Sequence, residues 1–360
     1  MSGGKTAGFF VKVFNYEYWP MWLLFLPLMP YWFWLAIRSR SFTFFTASNT
    51  NIELGGFYGE SKIAILEQIP EEFLPPTVFI RLDAPFAEAQ RQAEEKKIVF
   101  PFIAKPDVGG GGKGVEVIVS WAHLAVYHES IGEDYIIQGF AEEPLELGVF
   151  YIRMPGEEKG KVTSVVIKEF LSVKGDGRSS ILQLLQADAR ARFQVVSMQA
   201  QLGEGINEII PAGETRLLEP IGNHSRGTRF VNGNHLINEQ LHAVFNRIAA
   251  PMDGFYYGRF DLKVANIDAL YRGESIRVLE LNGASSDPGH IFDQRTGFWR
   301  SMRDVAWHWK QLARISRINR KRGIRPAPLS EVVRLLWLHK LSKKKKVERI
   351  SGQQADKENA

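Results

Sequence analysis

The 360-residue chain is 45% hydrophobic and 24% charged, the proportions of a folded core, which excludes disorder over most of its length. It has no cysteine, so disulfides, thiolate zinc sites, iron–sulfur clusters and a cysteine nucleophile are excluded together. The net charge of +5 hides a division: residues 1–40 carry +3, residues 41–299 carry −10 and residues 300–349 carry +13. An acidic body between two basic ends points to an anionic partner for those ends, membrane or nucleic acid.

The first element is Tyr18 to Ile37, YWPMWLLFLPLMPYWFWLAI, 20 residues without a charge. That length suffices to cross a hydrocarbon core of ~30 Å. Pro27 and Pro30 each remove a helical hydrogen bond, however, and the aromatics at 19, 22, 31, 32 and 34 are those that favour the membrane interface. Spanning and lying in the plane of the membrane are both open to it, and residues 1–40 are expected to be a membrane-associating segment. Neither a cleaved signal peptide nor an N-myristoyl group is expected, because no cleavage site follows the run and residue 2 is serine. Arg38 and Arg40 directly after it favour a cytoplasmic body.

Beyond Arg40 the pattern is that of an α+β protein. Phe42–Thr46 is short and β-prone, Glu60–Ile69 reads as a helix stopped by Pro70, Thr77–Arg81 as a strand and Ala87–Lys97 as a polar helix. Strands are then predicted at Val99–Ala104, Val115–Val119, Tyr135–Gln138, Leu147–Arg153 and Val162–Phe170. Ser179–Phe193 and Leu236–Ala250 read as helices, Phe255–Val264 and Ile276–Leu281 as strands. Two basic helical stretches, Phe298–Arg320 and Ser330–Leu341, are separated by Gly323, Pro326 and Pro328, and a disordered tail is expected from Ser351. The expected divisions are 1–40, a reduced α/β region at 41–97, a catalytic unit at 98–297, a basic helical region at 298–350 and the tail at 351–360.

Two motifs carry chemistry. In FPFIAKPDVGGGGKGVEVIV, residues 100–119, a strand ending near Lys105 runs into a glycine-rich loop and directly into another strand. Gly109, Gly111 and Gly114 spell a dinucleotide fingerprint, but that motif must open a helix; a Walker A loop fails because Gly114 follows Lys113. The remaining reading is a flexible loop whose backbone N–H groups approach phosphates, with Lys105 beside them. The second motif is Gly258-Arg259-Phe260-Asp261 followed by Glu280-Leu281-Asn282. Alternation puts Arg259 and Asp261 on one face, and Glu280 and Asn282 on one face of the next strand. Paired antiparallel, the strands gather Asp261, Glu280 and Asn282 as hard oxygen ligands suited to Mg²⁺.

Together with Tyr135-Ile136-Ile137-Gln138-Gly139-Phe140 and Glu146, these residues resemble the ATP-grasp superfamily over roughly residues 98–295, in particular carboxylate–amine ligases of the D-alanine–D-alanine ligase branch. The resemblance implies ATP held between two α+β lobes. Lys105 would touch the α-phosphate, and the loop of Gly109, Gly110, Gly111, Gly112, Lys113 and Gly114 would close over the β- and γ-phosphates. Ile137 and Gln138 would meet adenine, and Glu146 the ribose. Lys168, with Lys174 as runner-up, would be the second phosphate lysine. Asp261, Glu280 and Asn282 would hold one or two Mg²⁺ (or Mn²⁺) ions, and Arg259 would stabilise charge on the transferring group. The implied activity joins a small-molecule carboxylate to an amine through an acyl phosphate.

His224 and Arg226, in the donor-rich Gly222–Gly227 loop, and His290 are further candidates for substrate contact. His123, His128, His308 and His339 lie on helical patterns and are read as structural. Leu329, Val332, Val333, Leu336 and Trp337 form an apolar stripe beside Arg334, Lys340 and Lys343–Lys346, a basic amphipathic helix of the in-plane membrane type. An anionic membrane surface on the cytoplasmic side is therefore the expected partner and nucleic acid is not. The sequence leaves the oligomeric state open. A non-catalytic, nucleotide-binding scaffold or sensor at the membrane is the alternative from another functional class.

Overall fold

The computed structural model describes residues 15–222 and 226–338. The apolar run is a broken helix: α1 (Met21–Phe25), a 3-10 turn at Leu26–Leu28, and α2 (Met29–Arg38). Pro27 and Pro30 lie at this break, as their missing donors require. Among the described residues Met21–Arg38 is the one helical stretch long and apolar enough to cross a membrane. Phe42–Thr46, expected as a strand, instead turns into a 3-10 helix at Phe44–Ala47. The tertiary environment overrides β-propensity here: Phe44 and Phe45 are buried side by side under Trp32. The predicted 60–69 helix is shorter, α3 (Lys62–Leu66), capped by the Ser61 hydroxyl.

A small lobe follows. It is an antiparallel sheet in the order β1 (Thr77–Ile80), β4 (Tyr135–Gly139), β2 (Phe102–Pro106), β3 (Glu116–Ile118). Helices α4 (Phe86–Glu95) and α5 (Trp121–Ile131) cover one face. Val78, Ile80, Ala89, Ala93, Phe102, Leu124, Tyr127 and Ile137 make one core between sheet and helices. Residues 77–97, read from sequence as part of a preceding region, thus belong to this lobe, because β1 pairs with β4 along its whole length.

The large lobe is a five-stranded antiparallel sheet in the order β11 (Ile276–Asn282), β10 (Tyr257–Val264), β5 (Leu145–Ile152), β6 (Lys161–Glu169), β9 (Arg229–Asn232). After β6 the chain makes a satellite of β7 (Ser172–Lys174), α6 (Ile181–Ala187), α7 (Val195–Leu202) and β8 (Thr215–Leu217) around a separate small core. It returns through β9 (Arg229–Asn232), α8 (Glu239–Ala249), β10 (Tyr257–Val264), α9 (Ile267–Arg272) and β11 (Ile276–Asn282). The periodicity of α8 puts Leu241, Val244, Phe245 and Ile248 against Leu147, Val149, Phe260 and Leu262 of the sheet. Each such side chain contributes roughly 1.5–3 kcal/mol by burial.

Helix α10 (Phe298–Lys321), 24 residues long, crosses the other face and meets the N-terminal segment. Leu312, Ala313 and Ile315 pack with Phe150, Tyr257, Leu35, Ala36 and Phe44 in one cluster. A further helix occupies residues 329–338. The two sheets face each other across a cleft.

Candidate functional site

The floor of the cleft is made by alternation along β10. Phe260, Leu262 and Val264 enter the core; Arg259, Asp261 and Lys263 therefore face the cleft. Register does the rest: Asp261 is opposite Glu280 on β11, Arg259 is opposite Asn282, and Glu146 on β5 is opposite both Lys263 and Lys168. A register shift between Asp261 and Leu262 leaves Leu279 as an extra residue in β11, and its carbonyl accepts from Lys105 at 3.0 Å. Such bulges re-aim groups at sites. Gly148 lies opposite Asp261; a Cβ there would sit 2.7 Å from Val166 Cγ1 and 3.0 Å from Asp261 Oδ1. The glycine makes room for the charges.

Those charges form one network. Arg259 Nε donates to Asp261 Oδ1 at 3.0 Å and its Nη2 to Oδ2 at 3.1 Å. Lys168 Nζ is 2.8 Å from Glu146 Oε1 and 3.4 Å from Asp261 Oδ1. Asn282 Nδ2 donates to Asp261 Oδ2 at 3.3 Å. Burial alone would raise Asp261, but Arg259 and Lys168 outweigh it and hold the carboxyl below its ordinary range. Burial pulls Lys168 down, and Asp261 with Glu146 reverses this. Asp261, Lys168 and Arg259 thus hold one another in their charged forms. Lys105 differs: it is 7% exposed, donates to Gln138 Oε1 at 3.0 Å, and burial pushes its ammonium down to about 8 despite Glu280.

The roof is the glycine loop of the small lobe. Gly109, Gly111 and Gly112 have φ of +128°, +71° and +68°, conformations that disfavour any Cβ. Gly109 to Lys113 line the cleft. Gly114 does not: it packs against Pro106, and its carbonyl accepts from Tyr127 Oη at 2.8 Å, so it anchors the loop.

The cleft, about 330 Å³, brings together Lys105, Gly109–Lys113, Gln138, Glu146, Lys168, Arg259, Asp261, Glu280 and Asn282 from opposite lobes. Several expected residues, besides Gly114, are elsewhere. The Ile137 side chain is wholly buried in the small-lobe core, one step out of phase with Gln138; Gly139, Phe140 and Ala141 line the cleft in its place. His290 is 2% exposed, with Nδ1 2.7 Å from Ser164 Oγ and Nε2 3.2 Å from Asp304 Oδ2, so both nitrogens serve packing away from the cleft. Arg226 reaches the roof rather than the interior, donating to the Gly112 carbonyl at 3.0 Å and lying 3.5 Å from Glu219. His224 lies outside the described residues. Lys174 pairs in β7 with Thr215, in the satellite.

Several lining residues were not singled out by the sequence. Lys263 donates to the Ala141 carbonyl at 2.9 Å and lies 5.1 Å from the Phe140 ring centroid. Ile103, Phe140, Phe230 and Leu279 supply apolar walls of the kind that sandwich a flat heterocycle. Lys62 donates to the carbonyls of Asp107 at 3.1 Å and Gly109 at 2.5 Å. It also lines a second chamber of about 260 Å³ that shares Gly109, Gly110, Glu280 and Asn282 with the cleft and is walled by Phe57, Tyr58 and Glu60. Burial raises the Glu60 carboxyl. This wall is seated by two backbone bonds, Ala284 N to Gly55 O and Ser285 N to Gly56 O, both 3.0 Å. Gly56 has φ +77°, and a Cβ on it would lie 2.6 Å from Gly283 Cα.

The donor set fits a divalent cation bound together with phosphates. No group of three acidic or histidine side chains placed to hold a metal ion exists among the described residues. Asp261 and Glu280, paired in register and flanked by the Asn282 amide, would supply the two carboxylates that Mg²⁺ takes when water and phosphate complete its shell.

No family model and no curated protein matches the chain. Solved structures do. The chain is similar to a bifunctional glutathione synthetase from Pasteurella multocida, at 14% identity and TM-score 0.35, over 66% of this chain and 35% of that one. It is similar to D-alanine–D-alanine ligase from Bacillus anthracis at 13% identity and TM-score 0.42, over 73% of this chain and 69% of that one. The third is D-cycloserine synthetase, at 14% identity and TM-score 0.38, over 69% and 70%. These neighbours are ATP-grasp ligases. The chain spans about a third of the glutathione synthetase's length.

Proposed function

We propose that this protein is an ATP- and Mg²⁺-dependent carboxylate–amine ligase of the ATP-grasp kind, working at the cytoplasmic face of a membrane. The observation that carries the catalytic reading is the juxtaposition of Lys105 and Lys168 with Arg259, Asp261 and Glu280 beneath a glycine roof, in one cleft. Cations alone would suit any anion. Carboxylates facing those cations suit a polyphosphate that arrives with a divalent metal.

In this reading adenine lies among Ile103, Phe140, Phe230 and Leu279, and Glu146 faces the ribose. Lys105, Lys168 and the loop N–H groups take the phosphates. A divalent ion on Asp261, Glu280 and Asn282 would supply charge neutralisation for the transferring phosphoryl group. The carboxylate substrate enters the second chamber, where Lys62 lies beside Gly109 at the opening between the two spaces. Its oxygen attacks the γ-phosphorus, the bond to the ADP oxygen breaks, and an acyl phosphate forms. The amine then attacks the carbonyl carbon, the carbon–oxygen bond to phosphate breaks, and the nitrogen loses a proton. Glu60 is placed to receive an ammonium or that proton. Arg259, fixed by its two bonds to Asp261, offers its remaining charge to the developing oxyanion without reorganising.

The test is ADP release by the full chain with MgATP and a panel of carboxylates and amines. Release that needs one member of each class supports the reading. Nucleotide binding with no turnover for any pair would favour the scaffold alternative. Membrane placement is supported by the apolar N-terminal segment and the +13 of residues 300–349, and is checked separately by the distribution of the protein between membrane and soluble fractions.

A further inference from the structure

The exposed face of α2 is the wrong kind for water. Leu35 and Ala36 are buried against α10 and the Phe44–Ala47 turn, as an amphipathic helix requires. The opposite face, at the spacing 30, 33, 34, 37, 38, is Pro30, Phe33, Trp34, Ile37 and Arg38, all exposed. Phe33 is 52%, Trp34 46% and Ile37 69% exposed, and α1 continues the row with Trp22 at 69% and Leu26 at 54%. Five large apolar side chains exposed along one helical stretch exceed the scattered exposure normal for soluble proteins.

The inner face shows why this segment does not stand free as a spanning helix. Trp32 meets Trp309 of α10 edge-on at 5.0 Å and Phe44 at 4.7 Å, and Phe25 meets Trp309 at 5.6 Å. Arg320 of α10 also donates to the Ser39 carbonyl at the end of α2. Crossing a bilayer would strip these contacts away.

Charge lies on the α10 helix against which this segment packs. The exposed positions of α10 at alternating spacings of four and three are Arg303, Trp307, Lys310, Arg314 and Lys321, with Arg317 half-buried in the same stripe. Arg317 is near enough to influence Tyr31; Tyr31 stacks on Trp34 at 5.5 Å, and the Arg38 guanidinium covers Trp34 at 5.0 Å. Arg317 and Arg38 thus bring cations to the aromatic row of α2. The chain after α10 returns to the same end: Thr43 Oγ1 donates to Ala327 O at 2.6 Å, and Ala327 N donates to Thr46 Oγ1 at 2.8 Å. From there residues 329–338 begin, exposing Leu329, Val333, Leu336 and Trp337.

We infer that α1, α2 and the 329–338 helix form one platform that lies in the plane of an anionic lipid monolayer, inserting Trp22, Leu26, Phe33, Trp34 and Ile37 among the acyl chains while the α10 stripe meets phosphate headgroups. This rests on the membrane placement proposed above and adds its mode: monotopic, with none of the described segments crossing. Aromatic side chains ringed by cations are the combination that such interfaces favour, and headgroup charge complements the stripe.

The test uses the full chain and flotation with vesicles of phosphatidylcholine, with and without phosphatidylserine. Wild type is expected to float with the mixed vesicles, less so without phosphatidylserine or in high salt. Phe33→Ser/Trp34→Ser is expected to reduce partitioning by on the order of ten-fold or more at unchanged melting temperature. Lys310→Glu/Arg314→Glu should remove the phosphatidylserine dependence. Because the chain has no cysteine, Trp22→Cys and Ile37→Cys can each carry a spin label, and both should report the same shallow depth from the same side of the bilayer. Labels on opposite sides would overturn the in-plane mode while leaving membrane association standing. Wild type that fails to float would overturn both. Unimpaired flotation of Phe33→Ser/Trp34→Ser, or self-association through this face in place of lipid binding, would overturn the platform.

Discussion

The floor and the roof of the cleft are built in opposite ways. The floor is strand, buried and saturated: Arg259, Asp261, Lys168 and Glu146 satisfy one another within 2.8–3.4 Å. The roof is glycine, with positive φ at Gly109, Gly111, Gly112 and Gly114 and no neighbour within 4 Å of where a Cβ would stand at Gly109, Gly110 and Gly111. Preorganised charge belongs where the reaction develops charge, because a rigid environment need not reorganise. Freedom belongs where a ligand must enter and be covered. The proposed chemistry therefore sits on the large lobe, and the small lobe closes over it.

The sharpest way to break this division is to remove floor charge. Asp261→Ala leaves Arg259 and Lys168 short of a buried carboxylate and should cost about 3–5 kcal/mol of stability, read by denaturant unfolding, together with all ADP release. Glu280→Gln separates chemistry from folding: it should lower ADP release about 10²-fold or more with little change in melting temperature. Paired glycine substitutions come next. Gly148→Ala forces Val166 and Asp261 apart, a cost of about 1–3 kcal/mol in thermal melts. Gly111→Ala meets only open space and a backbone penalty of about 1–2 kcal/mol. If the roof is mobile until nucleotide binds, that penalty appears as a roughly ten-fold loss of ATP affinity and not in melting temperature. Equal melting losses in the two variants would erase the contrast.

Charge state gives a third probe. Lys105 bonds Gln138 within its own lobe and reaches the large lobe at the Leu279 carbonyl, and its pKa is pushed down to about 8 by burial. Below that pH it carries a proton and attracts phosphate; as pH rises through about 8 the ammonium is lost. ATP affinity of the wild type should fall over that interval, and Lys105→Arg should flatten the profile. The smallest effect is expected at Arg226, whose bond to Gly112 is, with that of Lys62 to Gly109, a side-chain contact onto the roof. Arg226→Ala should speed proteolytic nicking at residues 109–114 a few-fold, consistent with about 1 kcal/mol for one hydrogen bond, with ATP restoring protection.

Much of the floor was legible in the sequence because strand alternation is strict. Arg259 with Asp261, and Glu280 with Asn282, share faces by parity, and antiparallel pairing then joins them. The same rule corrects Ile137, which must face the core if Gln138 faces Lys105. What parity cannot give is which distant segment covers a site. Lys62 and the Phe57–Glu60 wall reach the second chamber through backbone bonds to Ala284 and Ser285, pairings with no local signal. His290 looked available as a lone loop histidine and is instead locked between Ser164 and Asp304. The short elements β7, β8 and β9 escaped notice because SVK, TRL and RFVN lack the β-branched runs, TVFI and VEVIV, that mark the equally short β1 and β3.

The central claim, a polyphosphate site completed by a divalent ion on the floor, is tested most directly by calorimetric titration of ATP into the full chain with and without Mg²⁺. Wild type should bind ATP more tightly when Mg²⁺ is present, and Glu280→Gln should keep the metal-free affinity while losing the Mg²⁺ increment. Folded wild type that binds no ATP, or a Glu280→Gln variant with the Mg²⁺ increment intact, would contradict it.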